Sequence, residues 1–172
     1  MKVLFLDIDC LLNSDLWYTH AHYCITHDKK SEIFSNETGN ENDSHVDYNI
    51  DPRLVENLNL IIEKTGCEIV LSSSWRCPDK DEMALLNSQL RRKGLIKEYF
   101  DVTPYSHSRI RGEEIKEWLN KNCKQLEITT FCIIDDDSDM LDEQREFFVN
   151  TDPYVGLTSH DADVAIEILN RI

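Results

Sequence analysis

The chain has 172 residues, enough for one domain with a single buried core. Hydrophobic residues make up 41% and charged residues 30%, which excludes wholesale disorder and fibrous classes. Its 33 Asp and Glu against 18 Lys and Arg give a formal charge of -15, so the surface on average repels phosphate backbones and anionic lipid. This argues against tight non-specific nucleic-acid binding. A local basic groove or a carboxylate cluster that takes a cation stays compatible with it.

In chain order, Val3 to Leu6 is a continuous apolar run ending at Asp7, the pattern of a strand buried on both faces. The opening apolar stretch resembles a signal h-region only briefly, because Asp7 and Asp9 interrupt it. No run approaches the ~20 apolar residues that span a bilayer. These features predict a cytoplasmic protein with reduced, mostly buried thiols at its six scattered cysteines. Residues 14–50 are polar and show no period; they read as a cap-like insertion within a single domain spanning 1–172.

Asp51-Pro52 starts a helix with Leu54, Leu58, Ile61 and Ile62 on one face, and Gly66 stops it. Residues 68–71 form a strand running into Ser72-Ser73-Ser74-Trp75-Arg76. A helix over 79–93 and a third strand over 99–103 follow. The next helix runs from about Gly112 to Asn122. Residues 131–134 form a buried strand ending in Asp135-Asp136-Asp137; then come a short helix, a strand over 147–149, and a last helix capped by Thr158. Strands alternating with helices predict an α/β fold with right-handed crossovers and a central parallel sheet covered on both faces.

In such sheets the ligand crevice lies beyond the carboxyl ends of the strands. The residues there are Asp7, Asp9, Ser72 to Arg76, Asp135 to Asp137 and Thr151-Asp152. Carboxylates gathered in one crevice must raise their pKa values or share a cation, and hard oxygen ligands select Mg2+. Asp7 and Asp9, two residues apart at a strand end, suit a nucleophile paired with a proton donor and acceptor.

These residues resemble the haloacid dehalogenase (HAD) superfamily. The matches are Asp7-Ile8-Asp9 after an apolar strand, Ser72 after Ile69-Val70-Leu71, Arg111 ahead of a helix, and Asp135-Asp136 after a fourth strand. A closer resemblance, to HAD domains of bacterial and phage RNA-repair proteins, rests on DIDCLLN, VLSSSWR, RGEEIKEWL, IIDDDSDM and TDPYVGLT. The resemblance implies a HAD-like Rossmannoid three-layer fold and a Mg2+-dependent phosphatase acting through an aspartyl-phosphate. Its substrate would be a nucleic-acid terminus, a nucleotide or another phosphorylated small molecule.

It further implies Asp7 as nucleophile and metal ligand. Asp9 would be the general acid/base, contributing its carbonyl to the metal. Ser72 would contact the phosphoryl oxygens and Arg111 would supply positive charge. Asp135 and Asp136 would hold Mg2+, with Asp139 an outer acid. Ser73 and Arg76 are candidate substrate contacts, Arg76 because a guanidinium fork fits phosphate.

Two departures stand out: Cys10 and Leu11 occupy positions where the family usually has Gly and then Thr or Val. They leave open a catalytically weak or inactive phospho-ligand-binding module. A receiver-like domain is disfavoured because the fifth strand ends in Asn150-Thr151-Asp152 without the expected Lys.

His20, His22, Cys24, His27 and His45 offer zinc-type donors, but their spacing fits no metal motif, and a polar cap is the plainer reading. Trp17, Tyr18 and Tyr23 suit base stacking or anchoring of that cap. Residues 76–124 carry 11 basic and 8 acidic side chains, against 7 and 25 elsewhere. Arg91, Arg92, Lys93, Lys97, Arg109 and Arg111 are therefore candidates for a basic approach to the acidic site.

Overall fold

The computed structural model describes residues 1–27, 29, 50–77 and 79–171. Its strands are β1 (Lys2–Leu6), β2 (Glu68–Leu71), β3 (Tyr99–Val102), β4 (Thr130–Asp135) and β5 (Phe148–Asn150). They form one sheet in the order β3-β2-β1-β4-β5, with every pairing parallel. The helices are α1 (Asp15–Thr26), α2 (Pro52–Thr65), α3 (Lys80–Arg92), α4 (Arg111–Asn122) and α5 (Ser159–Leu169). A 3₁₀ segment, Asp142–Phe147, links β4 to β5.

Alternate residues of the central strand face opposite layers. Leu4 and Leu6 of β1 join Ile69, Leu71 and Ile134 under Leu58 and Ile61 of α2, Leu90 of α3 and Ile168 of α5. Val3 and Phe5 join Val70 and Ile133 against Ile115 and Trp118 of α4. Phe5 meets the Trp118 ring edge-on, with centroids 5.3 Å apart. This two-sided burial is why the strands read as unbroken apolar runs rather than alternating ones.

Helix starts follow the expected chemistry. Asp51 caps α2 by accepting from Arg53 N, and Thr158 and Asp161 form a reciprocal capping box on α5. The described part of the 14–50 insertion holds an unforeseen helix. Ser14 caps α1, which buries Trp17, Ala21 and Cys24, a stripe too narrow to stand out among polar neighbours. Its first turn is tied to the β5–α5 loop by Asp15 N to Pro153 O and Leu16 N to Tyr154 O. Gly156 makes this approach possible: a Cβ there would lie 2.7 Å from Leu11 O, at a φ of +74°. His45 lies outside the described residues. Among the described residues no helix is long and apolar enough to cross a membrane, and no disulfide joins the cysteines.

Candidate active site at the strand ends

The register of the sheet assembles the site. Leu6 pairs with Leu71 and with Ile134, so Asp7, Ser72 and Asp135 are level with one another on three adjacent strands. Asp7 N donates to Ile134 O, and Ser72 N donates to Leu6 O, continuing the ladder past the strand ends. Asp7 and Asp135 are buried, and Asp136 is partly buried.

Carboxylate oxygens of Asp7, Asp135 and Asp136 lie within 4.8 Å of one another. Burial pushes the Asp7 carboxyl up to about 6, opposed by the Arg111 charge and a Ser73 hydrogen bond. Burial, and then the neighbouring Asp7, push Asp135 up to about 8. Asp136 is also raised, chiefly by burial. Three crowded oxygen donors, two of them in low dielectric, fit a hard divalent cation, which would relieve their repulsion.

Arg111 occupies the first turn of α4. Its Nε is 3.1 Å from Asp135 Oδ2, and its Nη2 is 3.5 Å from Asp7 Oδ1. Asp139 fixes the start of the helix by accepting from Arg111 N at 2.9 Å. Gly112 lets α4 pack against the β4–β5 connection: a Cβ there would meet Gln144 Oε1 at 2.6 Å and Leu141 N at 2.7 Å. Gln144 instead donates to Gly112 O at 2.8 Å. Asn150 Nδ2 donates to Asp135 O and Asp136 O, steadying the acidic turn.

Asp9 is held by three donors. Trp75 Nε1 and Asn13 Nδ2 reach Oδ1 at 2.8 and 3.1 Å, and Ser74 Oγ reaches Oδ2 at 2.7 Å. The turn that carries it passes through Cys10 at φ +56°, the left-handed region glycine would occupy freely. Cys10 thus keeps the turn at some strain, with its N–H bound to Asn13 Oδ1 at 2.6 Å. Its thiol is pushed up to about 11, by burial and then by the Asp136 carboxylate.

The expected serine and arginine contacts are distributed differently from the sequence reading. The Ser72 hydroxyl is buried and accepts from Thr103 Oγ1 at 3.2 Å, whereas it is the Ser73 hydroxyl that counters the rise of the Asp7 carboxyl. Arg76 has only 3% of its side chain exposed. Its Nη2 pairs with Glu114 at 2.6 Å, its Nη1 donates to Ser73 O at 2.7 Å, and its guanidinium lies 4.0 Å from the Tyr105 ring centre. It lines the site cavity but is committed to scaffold partners.

The basic approach also divides. Arg109 and Arg111 line the cavity. Arg91 pairs with Glu98 and Lys97 with Glu68, next to the starts of β3 and β2 on the opposite rim. Among the described residues the zinc-type donors make no metal cluster, although Cys24 Sγ lies 3.6 Å from His20 Nε2.

Over residues 3–162 the sequence matches the family model described as the HAD domain in Swiss Army Knife RNA repair proteins. The chain belongs to this family. No curated protein and no solved structure matches it. Membership in the HAD domain family implies a phosphatase-type hydrolase. Asn13, Ser74, Trp75, Thr103, Glu114, Gln144 and Asn150 escaped the sequence reading as supports of this HAD site. Only the Ser-Ser-Ser-Trp run directly after β2 offered a signal, through its register with Asp7.

Proposed function

We propose that the protein is a Mg2+-dependent phosphatase that works through a phosphorylated Asp7 on a phosphorylated nucleic-acid end. The observation that carries this reading is the grouping of Asp7, Asp135 and Asp136 beyond the strand ends, with Arg111 against Asp7 and Asp135 and Asp9 two residues past Asp7.

An Asp7 oxygen attacks phosphorus, forming an acyl phosphate as the ester P–O bond breaks. Asp9, oriented by Trp75, Ser74 and Asn13, gives its proton to the departing oxygen. It then takes a proton from the water that attacks phosphorus and frees Asp7 and inorganic phosphate. Arg111 and the Ser73 hydroxyl stabilise the charge on the transferring group. Bound at Asp7, Asp135 and Asp136, Mg2+ would supply further positive charge there. The family's place in RNA repair proteins supports a nucleic-acid end, and the arginines at the cavity fit a phosphorylated substrate.

The test is phosphate release from a generic aryl phosphate with Mg2+. Wild type is expected to turn over and Asp7→Asn to be inactive. Equal hydrolysis by both would remove Asp7 as nucleophile.

A further inference from the structure

Beside the catalytic aspartates opens a cavity of about 660 Å3, lined in part by Arg76, Tyr105, His107, Arg109 and Arg111. It is within the size range of whole-ligand pockets, roughly 300–1,000 Å3, and larger than a phosphoryl group alone requires. Its outer wall is the β3–α4 connection, whose construction is unusual in three respects.

First, Tyr105 is 62% exposed yet fixed. One ring face rests on the buried Arg76 guanidinium, and its hydroxyl donates to Arg76 O at 3.1 Å. Arg76 is in turn held by Glu114, which also accepts from Ser106 N at 2.9 Å. An exposed aromatic locked by a buried ion pair is a preorganised platform rather than a mobile surface side chain. Second, Arg109 makes no ion pair or hydrogen bond among the described residues, although this protein has an excess of acids. Third, Arg109 sits at φ +57°, a conformation that costs an L-residue energy and concentrates at binding sites.

We propose that the Tyr105–Arg109 segment selects an oligonucleotide end over a free nucleotide. Tyr105 stacks the base next to the hydrolysed phosphate, and Arg109 neutralises the following phosphodiester. This rests on the phosphatase reading and names the part of the substrate that the aspartates do not touch. The pairing of an aromatic face with a nearby cation is the recognition chemistry of single-stranded nucleic acid, which does not require base-specific contacts. Asp137 and Asp139 also line the cavity. Asp139 accepts from the α4 backbone and Arg111 is paired with Asp7 and Asp135, so Arg109 is the lining guanidinium without a carboxylate partner among the described residues.

The experiment compares kcat/KM for an aryl phosphate, 3′- and 5′-phosphorylated nucleosides, and dinucleotides carrying the same terminal phosphate. The enzymes are wild type, Tyr105→Ala, Tyr105→Phe and Arg109→Asn. Asparagine tolerates the left-handed backbone, so it removes the guanidinium without breaking the loop. Wild type is expected to prefer dinucleotide over nucleoside phosphate at least tenfold.

Arg109→Asn should erase most of that preference and flatten the salt dependence by about 0.7 in log–log slope, the loss of one phosphate contact on a single strand. Tyr105→Ala should lower the dinucleotide-to-aryl-phosphate ratio roughly 5- to 150-fold, the range of one stacked base, while Tyr105→Phe retains most of it. No dinucleotide preference in wild type, or equal losses on dinucleotide and aryl phosphate in the variants, would overturn the proposal.

Absence of turnover on every phosphoester would count against the phosphatase reading instead. The subsite is then decided by fluorescence anisotropy of a labelled, end-phosphorylated pentanucleotide. Tighter binding to wild type than to Tyr105→Ala and Arg109→Asn supports it, and equal binding overturns it.

Discussion

The two rims of the sheet handle charge in opposite ways. At the amino rim, the Arg91–Glu98 pair has side chains 63% and 53% exposed, and the Lys97–Glu68 pair about 30% each. At the carboxyl rim, Arg76 and Glu114 are almost wholly buried, Asp7 and Asp135 are crowded out of water, and Cys10 and Arg109 hold left-handed backbones. Glu127, ahead of β4 at the amino rim, is left-handed too, so backbone strain alone does not separate the rims. What sets the carboxyl rim apart is its crowded, desolvated carboxylates, the mark of a binding site rather than a scaffold.

The contrast is sharpest in activity. Asp7→Asn should lower turnover by on the order of 10⁴-fold or more, as loss of a covalent nucleophile does. Glu98→Ala on the other rim should leave turnover within a factor of two. A similar loss in both would dissolve the distinction.

Stability gives the next largest effect. Glu114→Ala leaves Arg76 buried without its partner and removes the acceptor of Ser106 N, so a loss of about 3–5 kcal/mol is expected in urea unfolding. Glu98→Ala breaks a surface pair and should cost about 0.2–1 kcal/mol.

A pH series with EDTA comes third. In the folded chain Asp7 and Asp135 hold protons up to about pH 6 and 8, whereas in the unfolded chain they lose them near 3.8. The stability tied to those protons is complete below pH 4 and is lost as pH rises through 8. Tm should therefore fall over that window without metal. The fall should be shallower in Asp135→Asn, and added Mg2+ should restore stability at pH 8 in wild type. A flat Tm without metal would contradict the crowding of these carboxylates.

The smallest effect concerns the turn after Asp9. A left-handed L-residue costs roughly 1–2 kcal/mol, and glycine gives back about 0.5–1 in chain entropy. Cys10→Gly should therefore raise stability by about 0.5–1 kcal/mol by urea midpoint. A loss would mean that the thiol contact with Asp136 outweighs the backbone strain.

Much of the fold was legible because strands buried on both faces leave unbroken apolar runs. Glu68–Leu71 has the predicted bounds, and the other strands differ by a residue or two. The neighbouring positions of Asp7 and Asp135 followed from the parallel sheet. Helix α1 was hidden because only Trp17, Ala21 and Cys24 mark its buried stripe.

The roles of identical side chains were also hidden. Ser72 and Ser73 differ only in where the turn after β2 aims them. Arg76 and Arg111 differ in partners 38 and 104 residues away. Arg76 looked like a phosphate contact because nothing local showed that Glu114 would bury it. Residues 30–49 lie outside the described residues, so the cap reading there remains a proposal.

The most direct measurement of the central claim is chemical trapping at Asp7. The protein is mixed with a good phosphoester substrate and Mg2+, quenched in acid during turnover, and reduced with borohydride, which converts an aspartyl phosphate to homoserine. Peptide mass spectrometry is expected to find homoserine at position 7 in wild type and at no other aspartate. Hydrolysis that proceeds with Asp7 unmodified, or with the label on Asp9 or Asp135, would contradict the account.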